Sequence, residues 1–596
     1  MKELLSGNEA IARGAYEYGV RVATAYPGTP STEILENIEQ YKDDIYCEWS
    51  PNEKVSMEVA IGSAFAGVRS LVAMKHVGLN VAADPFMTLS YTGIKGGLVI
   101  VSADDPSMHS SQNEQDNRHY ARFAKVPMLE PVDSQEAKDY VGAALAISEE
   151  YDTPIILRTT TRISHAKTVV EPGEREVDPV PEEFEKDPDK FVMVPANARK
   201  RHPVVEERME KLREFAETTE LNQIEWNDKE IGIITGGVPY NHAKEVFPEA
   251  SFLKLGLTYP LPENKIKEFA SQVEEVYVIE ELDPFLEEQI RAMGIEVTGK
   301  DKLPILFEYN TNVLRDNLIE DEEKANNQPD LEKADENSIE AEEMNLPHRP
   351  PALCAGCPHR GVFYTLNKLG VTVTGDIGCY ALGVVPPLSA MDTVVCMGAS
   401  IGNAFGIELA LGEKAKGNVV GVIGDSTFMH SGITGLLDIV YNQGASTIVI
   451  LDNRITAMTG HQENPTTGKT LMGDDTVQID LAELSEALGV NSVNVVDPYD
   501  LEETKETIAE ELEKDEISVI IARRACALLK QVERKAPFNV DPATCKDCGL
   551  CLDIGCPALS QEDGHTVIDD YLCTGCGVCT QVCPFGAIVK DGDSNE

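Results

Sequence analysis

Eight of the chain's 14 cysteines stand between positions 545 and 583. They form two runs, CKDCGLCLDIGCP (Cys545, Cys548, Cys551, Cys556) and CTGCGVCTQVCP (Cys573, Cys576, Cys579, Cys583). Three thiolates at this spacing close on one face of an iron–sulfur cluster, and a fourth cysteine followed by proline reaches across to the neighbouring cluster. Two [4Fe–4S] centres are therefore expected. Cys545, Cys548, Cys551 and Cys583 hold one, and Cys573, Cys576, Cys579 and Cys556 hold the other. Disulfides would need an oxidising compartment, yet the first residues, MKELLSGNEAIARGAYEYG, lack the basic start and apolar stretch of an export signal. A cluster relays electrons without generating them, so the rest of the chain should contain the donor.

Residues 538–592 resemble bacterial two-cluster ferredoxins, with one departure: four residues separate Cys551 from Cys556 where that family usually has three. Upstream, VVGVIGDSTFMHSGITGLLDIVYNQGASTIVILDN (419–453) reads as a strand ending near Gly424, a helix and a second strand ending at Asn453. In a parallel sheet both polar ends lie at the carboxyl edge, where such folds bind ligands. A carboxylate and an amide oxygen there suit magnesium bound together with phosphate. The stretch resembles the thiamine diphosphate signature, with Ser426 in place of the second glycine of its GDG run. That resemblance implies magnesium ligation by Asp425, Asn453 and the carbonyl of Ile455, with Gly424 and Ser426 beside the cofactor. CMGASIGNAFGIELALG (396–412) spaces Gly398, Gly402 and Gly406 as on one helix face. Small residues there suit close helix packing, backbone approach to a cofactor, or both.

A thiamine enzyme also needs a glutamate for the aminopyrimidine ring, to promote loss of the C2 proton. AYPGTPSTEILE (25–36) resembles the YPxTPS motif of the 2-oxoacid:ferredoxin oxidoreductases, and NEKVSMEVAIGSAFAG (52–67) resembles their glutamate-then-glycine helix. The resemblance makes Glu53 the ring-facing acid and Thr29 a contact to the oxo-acid end of the substrate. As residues alone, Glu53 reads as an exposed acid at a helix start and Thr29 as a turn or cap residue. An arginine that pyruvate-specific relatives use after the strand GGLVIVSADD is missing, and Asp104 and Asp105 stand there instead.

RPPALCAGCPHRGVFYTL (349–366) resembles the CxGCPHR motif of the indolepyruvate:ferredoxin oxidoreductase alpha subunits, and the chain is identified as resembling that family over nearly its whole length. This implies oxidative decarboxylation of aryl pyruvates with CoA to aryl-acetyl-CoA and carbon dioxide, the decarboxylated substrate on thiamine being the electron donor. It also implies ferredoxin as acceptor, a diphosphate contact from His359, and a separate smaller beta subunit with the missing gamma-type domain in an α2β2 complex. A third cluster on Cys354, Cys357, Cys379 and Cys526 is implied by relatives, with buried structural cysteines as the alternative. Met458, where pyruvate-specific relatives carry a polar residue, suits an apolar substrate side chain. Another 2-oxo acid, or a non-catalytic electron-transfer role, are the competing functions.

The fold class expected is α/β and multidomain. A pyrimidine-binding thiamine domain covers 1–190, a transketolase C-terminal-like domain 191–315, an acidic linker 316–349, a diphosphate- and magnesium-binding domain 350–530, and a two-cluster ferredoxin domain 538–592. Glu280 and Glu281 sit at a strand-to-helix junction and read as solvated. With 101 acids against 51 bases the formal charge is −50, which disfavours nucleic acid as a partner. No apolar run approaches the roughly 18 residues of a membrane span. A cytoplasmic protein with no membrane contact is expected.

Overall fold

The computed structural model describes residues 2–176, 183–319 and 351–590. The chain divides into two compact units, Met1–Met344 and Asn345–Glu596. Most of the expected linker lies outside the described residues; its first positions belong to the helix Thr311–Leu318.

In the first unit a seven-stranded sheet runs Leu257–Tyr259, Met128–Leu129, Ile155–Thr160, Leu98–Asp104, Ser70–Lys75, Val22–Ala25 and Tyr46–Trp49. All its pairings are parallel except that of the first strand. Strand order reverses between Val22–Ala25 and Ser70–Lys75, the place where such sheets open a ligand crevice beyond their carboxyl ends. The first strand comes from the segment read as transketolase-like. That segment also builds its own four-stranded sheet from Asn222–Glu225, Asp228–Thr235, Ala250–Leu255 and Glu275–Ile279. One core joins the two segments, with Met57, Val72, Phe86 and Ile100 packed in the same cluster as Leu253, Phe269, Val278 and Phe285.

Beside that core lies a buried charge network, and it corrects the expectation for Glu280 and Glu281. They are 2% and 5% exposed. Arg118 Nη1 pairs with Glu280 at 2.6 Å and its Nη2 with Asp116 at 2.6 Å, while Arg158 Nε pairs with Asp104 at 2.7 Å. Glu281 accepts from the Tyr309 amide at 2.8 Å. Burial pushes its carboxyl up to about 7. Its folded pKa is therefore raised above the unfolded value, so the group disfavours the fold increasingly as pH rises from the ordinary carboxylate range to about 7. Glu281→Gln is expected to raise the melting temperature at pH 8, by the equivalent of about 1–3 kcal/mol, and to have little effect near pH 4.5. Scanning calorimetry at the two pH values checks this; a lower melting temperature at pH 8 contradicts it.

The second unit is built on a six-stranded all-parallel sheet in the order Thr393–Val394, Thr372–Gly375, Val419–Gly424, Thr447–Asp452, Ser518–Arg523, Ser492–Val496. Order reverses between Thr372–Gly375 and Val419–Gly424, which sets a second crevice at their carboxyl ends. The strands read VVGVIG and TIVILD and are buried throughout, as central strands covered on both faces must be. After Arg523 the chain enters a small segment whose two ends pair antiparallel, Phe538–Val540 with Ile588–Lys590. Among the described residues no helix is long and apolar enough to cross a membrane.

Candidate functional site

Asp425 follows directly on the strand Val419–Gly424 and opens a helical stretch. Its carboxylate is 3% exposed, accepts from the Ser426 amide at 2.7 Å and from Thr466 Oγ1 at 3.5 Å, and has no ion pair among the described residues. Burial, with Asp452 nearby, pushes it up to about 7. Asn453 follows the next strand, and Arg454 then turns the chain at φ +61°, a conformation non-glycine residues seldom adopt. Asn453 Oδ1 accepts from the Ile455 amide at 3.3 Å, and its Nδ2 donates to His359 Nε2 at 3.4 Å. His359 is 4% exposed, and burial depresses its pKa to about 4, so the imidazole is neutral. A buried carboxylate with no ion pair among the described residues, joined to Asn453 Oδ1 through the Ile455 amide that serves both, fits a hard divalent cation that carries phosphate.

Asp376, which the sequence reading passed over, orders the same crevice. It follows the strand Thr372–Gly375, is fully buried, and accepts from the amides of Gly398 at 2.8 Å and Ser400 at 3.0 Å. This fixes the start of the helix Ala399–Leu411, where Gly398 has φ +86° and a Cβ would stand 2.3 Å from Ser431 Oγ. Gly424 is equally constrained, since a Cβ there would meet the Tyr380 ring at 2.6 Å. Gly402 and Gly406 behave differently: a Cβ on either meets nothing within 4 Å. The signal for Asp376 was present as Gly-Asp after a short strand, repeating the Gly424-Asp425 pattern. Met458 is half-exposed.

In the first unit Glu53 is the first residue of the helix Glu53–Phe65, behind the cap Asn52, whose side chain accepts from the Val55 amide. Only 5% of Glu53 is exposed, unlike the acid expected from local sequence. Gly78 lies against it, and a Cβ at that position would come within 2.7 Å of Glu53 Oε1. Thr29 is half-buried in a turn closed by Ser31 Oγ donating to the Gly28 carbonyl at 2.8 Å. It caps no helix, since Ser31 precedes the helix Thr32–Ile38. The Lys75 stem lies 3.5 Å from where a Gly28 Cβ would be, and its Nζ donates to the Ser110 carbonyl at 2.7 Å. Burial lowers this amine to about 8, against the pull of Asp105 and Glu53. Ends of three neighbouring strands thus bring Thr29, Glu53 and Lys75 to one crevice.

The terminal cysteines gather across the two runs. Burial pushes the Cys579 thiol up to about 12, and Cys576, Cys556 and Cys573 add to the shift. Cys551 is raised by burial and further by Cys583 and Cys548. Each group includes the proline-flanked cysteine of the other run; Cys545 donates to Asp547 Oδ1 at 3.5 Å at the mouth of the first group. Among the described residues no three cysteine sulfurs lie within 4.8 Å of one another, wider than the roughly 3.8 Å between sulfurs on tetrahedral zinc with bonds of about 2.3 Å. Crowded thiols that oppose each other's ionisation are relieved by bound iron. Cys354, Cys357, Cys379 and Cys526 form another gathering. Burial pushes Cys357 up to about 12 and Cys379 up to about 11, with Cys354 adding to both, Cys379 to the first and Cys526 to the second. Cys526 borders the diphosphate crevice, its amide donating to the Asn453 carbonyl at 3.0 Å.

The profile of pyruvate flavodoxin/ferredoxin oxidoreductase thiamine diphosphate-binding domains matches residues 13–230, that of the C-terminal binding domain of thiamine pyrophosphate enzymes matches 376–522, and that of 4Fe–4S binding domains matches 566–589. The chain is 44% identical to indolepyruvate oxidoreductase subunit IorA of Methanothermobacter marburgensis, covering 99% of this chain and 97% of that one. It is 43% identical to the subunit of the same name from Pyrococcus horikoshii, covering 99% and 97%. A solved 2-oxoglutarate:ferredoxin oxidoreductase from Magnetococcus marinus aligns at 17% identity and a TM-score of 0.43, over 50% of this chain and 61% of that one.

Proposed function

Because the chain belongs to the indolepyruvate oxidoreductase IorA family of thiamine-dependent 2-oxoacid:ferredoxin oxidoreductases, we propose that it oxidises aryl pyruvates, indolepyruvate first among them. The balanced reaction takes an aryl pyruvate and CoA to aryl-acetyl-CoA, carbon dioxide, one proton and two electrons, the electrons leaving to ferredoxin. The observation that carries this reading is the buried Asp425–Asn453 pair with a gathering of cysteines at its edge.

Thiamine diphosphate, when bound, supplies a carbon nucleophile at C2 and a store for the electron pair released with carbon dioxide. Asp425, Asn453 and the Ile455 carbonyl hold magnesium, and His359 as a neutral imidazole hydrogen-bonds the diphosphate. Gly398, Gly424 and Ser426 let the backbone close on the same group. Glu53 takes the aminopyrimidine side and assists removal of the C2 proton, with Thr29 at the oxo-acid end of the substrate. Cys556, Cys573, Cys576 and Cys579 would hold one [4Fe–4S] cluster and Cys545, Cys548, Cys551 and Cys583 another, and these would supply a one-electron path out of the site. Cys354, Cys357, Cys379 and Cys526 would hold a third cluster, with Cys526 bonded to Asn453 at the edge of the same crevice. A smaller beta subunit with a gamma-type domain completes an α2β2 complex in the cytoplasm.

Ferredoxin reduction by the chain co-expressed with its partner tests the substrate. Indolepyruvate and phenylpyruvate with CoA should exceed pyruvate by at least about tenfold in kcat/KM, the scale on which an apolar pocket discriminates. Equal rates would replace the aryl reading by a general 2-oxo acid one. Iron analysis tests the third cluster: about twelve iron atoms per chain are expected, falling to about eight in Cys379→Ser, whereas about eight in the wild type eliminates it.

A further inference from the structure

Arg360 follows His359 at the start of the helix His359–Leu369 and is 4% exposed. Its guanidinium makes hydrogen bonds only to backbone carbonyls among the described residues. Nη1 donates to Ile554 at 3.3 Å and to Gly555, while Nη2 donates to Cys354 at 3.2 Å and to Leu353. Nε donates to Cys354 at 3.3 Å. No carboxylate pairs with it among the described residues, and the ionisable groups near enough to act on it are the sulfurs of Cys556, Cys357, Cys354 and Cys576, which carry negative charge once they bind iron. It lines an apolar cavity together with Cys556, Cys573, Cys576 and Cys579. A buried cation without a carboxylate is stable only if other negative charge faces it.

The loop it grips is the one between Cys551 and Cys556 that is a residue longer than in the ferredoxins the segment resembles. Gly555, at φ +66°, lets the guanidinium approach, since a Cβ there would stand 3.3 Å from Nη1 and 3.1 Å from Pro387. The loop presents two successive carbonyls, those of Ile554 and Gly555, to one side of the fork.

Resting on the reading that Cys556, Cys573, Cys576 and Cys579 hold a [4Fe–4S] cluster, we propose that Arg360 is a positioning residue that raises the reduction potential of this cluster and docks its loop on the thiamine domain. A one-electron reduction adds one negative charge to an already anionic cluster with four thiolates. A fixed cation at its edge stabilises the reduced form more than the oxidised one, and net charge is one of the levers that set such potentials.

Potentiometric titration of the full chain, followed by electron paramagnetic resonance, tests this with Arg360→Gln and Arg360→Lys. In Arg360→Gln at least one midpoint should fall by about 59 mV, a tenfold change for a one-electron couple. Another, belonging to the cluster on Cys545, Cys548, Cys551 and Cys583, should hold. Arg360→Lys keeps the cation and should stay within about threefold of wild type in the same equilibrium. No shift in the glutamine variant, an equal shift in both variants, or a common shift of every midpoint overturns the proposal. If Arg360→Gln does not retain its iron, the lysine variant decides: a wild-type midpoint supports the role of charge, and a tenfold fall contradicts it. A wild-type chain in which the iron is absent defeats the cluster assignment instead, a separate failure seen before any variant is made.

Discussion

Glu53→Gln is expected to lower turnover by about 100- to 10,000-fold while leaving the affinity for thiamine diphosphate within about threefold. The glutamine fills the same space at the start of its helix, behind Asn52 and against Gly78, so the fold has no reason to change. What it lacks is the ionisable oxygen that the proposed role at the aminopyrimidine requires. Two measurements separate this from general damage. Exchange of the C2 proton of bound thiamine diphosphate for deuterium should slow by the same factor as turnover, and substrate-dependent bleaching of the iron–sulfur absorption should slow with it. Chemically reduced clusters should still pass electrons to ferredoxin at the wild-type rate. Bleaching at the normal rate in this variant would remove Glu53 from the mechanism.

Asp425→Asn should weaken binding of thiamine diphosphate with magnesium by at least about 100-fold, because the proposed ligand set then has a neutral oxygen in place of a charged one. The same substitution should stabilise the cofactor-free chain at pH 8. In the free chain this carboxylate is buried with Asp452 nearby and no cation, an arrangement that disfavours the charged form. Calorimetry with and without cofactor reads both effects: a higher melting temperature when free, and loss of the rise that the cofactor brings to the wild type. Such a trade of fold stability for a binding site is common at ligand clamps. Binding within threefold of wild type would show that Asp425 is not a ligand.

The cysteine runs and the strand–helix–strand around Asp425 were legible because ligand spacing and alternating element signals are local in sequence. The helix behind Glu53 was legible for the same reason. Burial of Glu53 was not, because it depends on Gly78 and on strands that meet only in the folded sheet. Glu280 and Glu281 misled for a related reason: their partners Arg118 and Tyr309 are remote in sequence, so a junction that looks solvated is a buried charge network. Asp376 clamps Gly398 and Ser400 across a strand and a loop, and no spacing rule connects them.

The antiparallel pairing of Phe538–Val540 with Ile588–Lys590 has a consequence for how this kind of protein arises. Entry and exit of the cluster-bearing segment lie side by side, so it hangs as a closed pouch from a single stalk at the end of the parallel sheet. A pouch of that kind can be appended to an ancestral catalyst, or exchanged for another, without rethreading a strand. Wiring it in then requires only a few lateral grips, such as Arg360 donating to the carbonyls of Ile554 and Gly555, and Gln581 bonding both the Leu501 amide and the Tyr499 carbonyl.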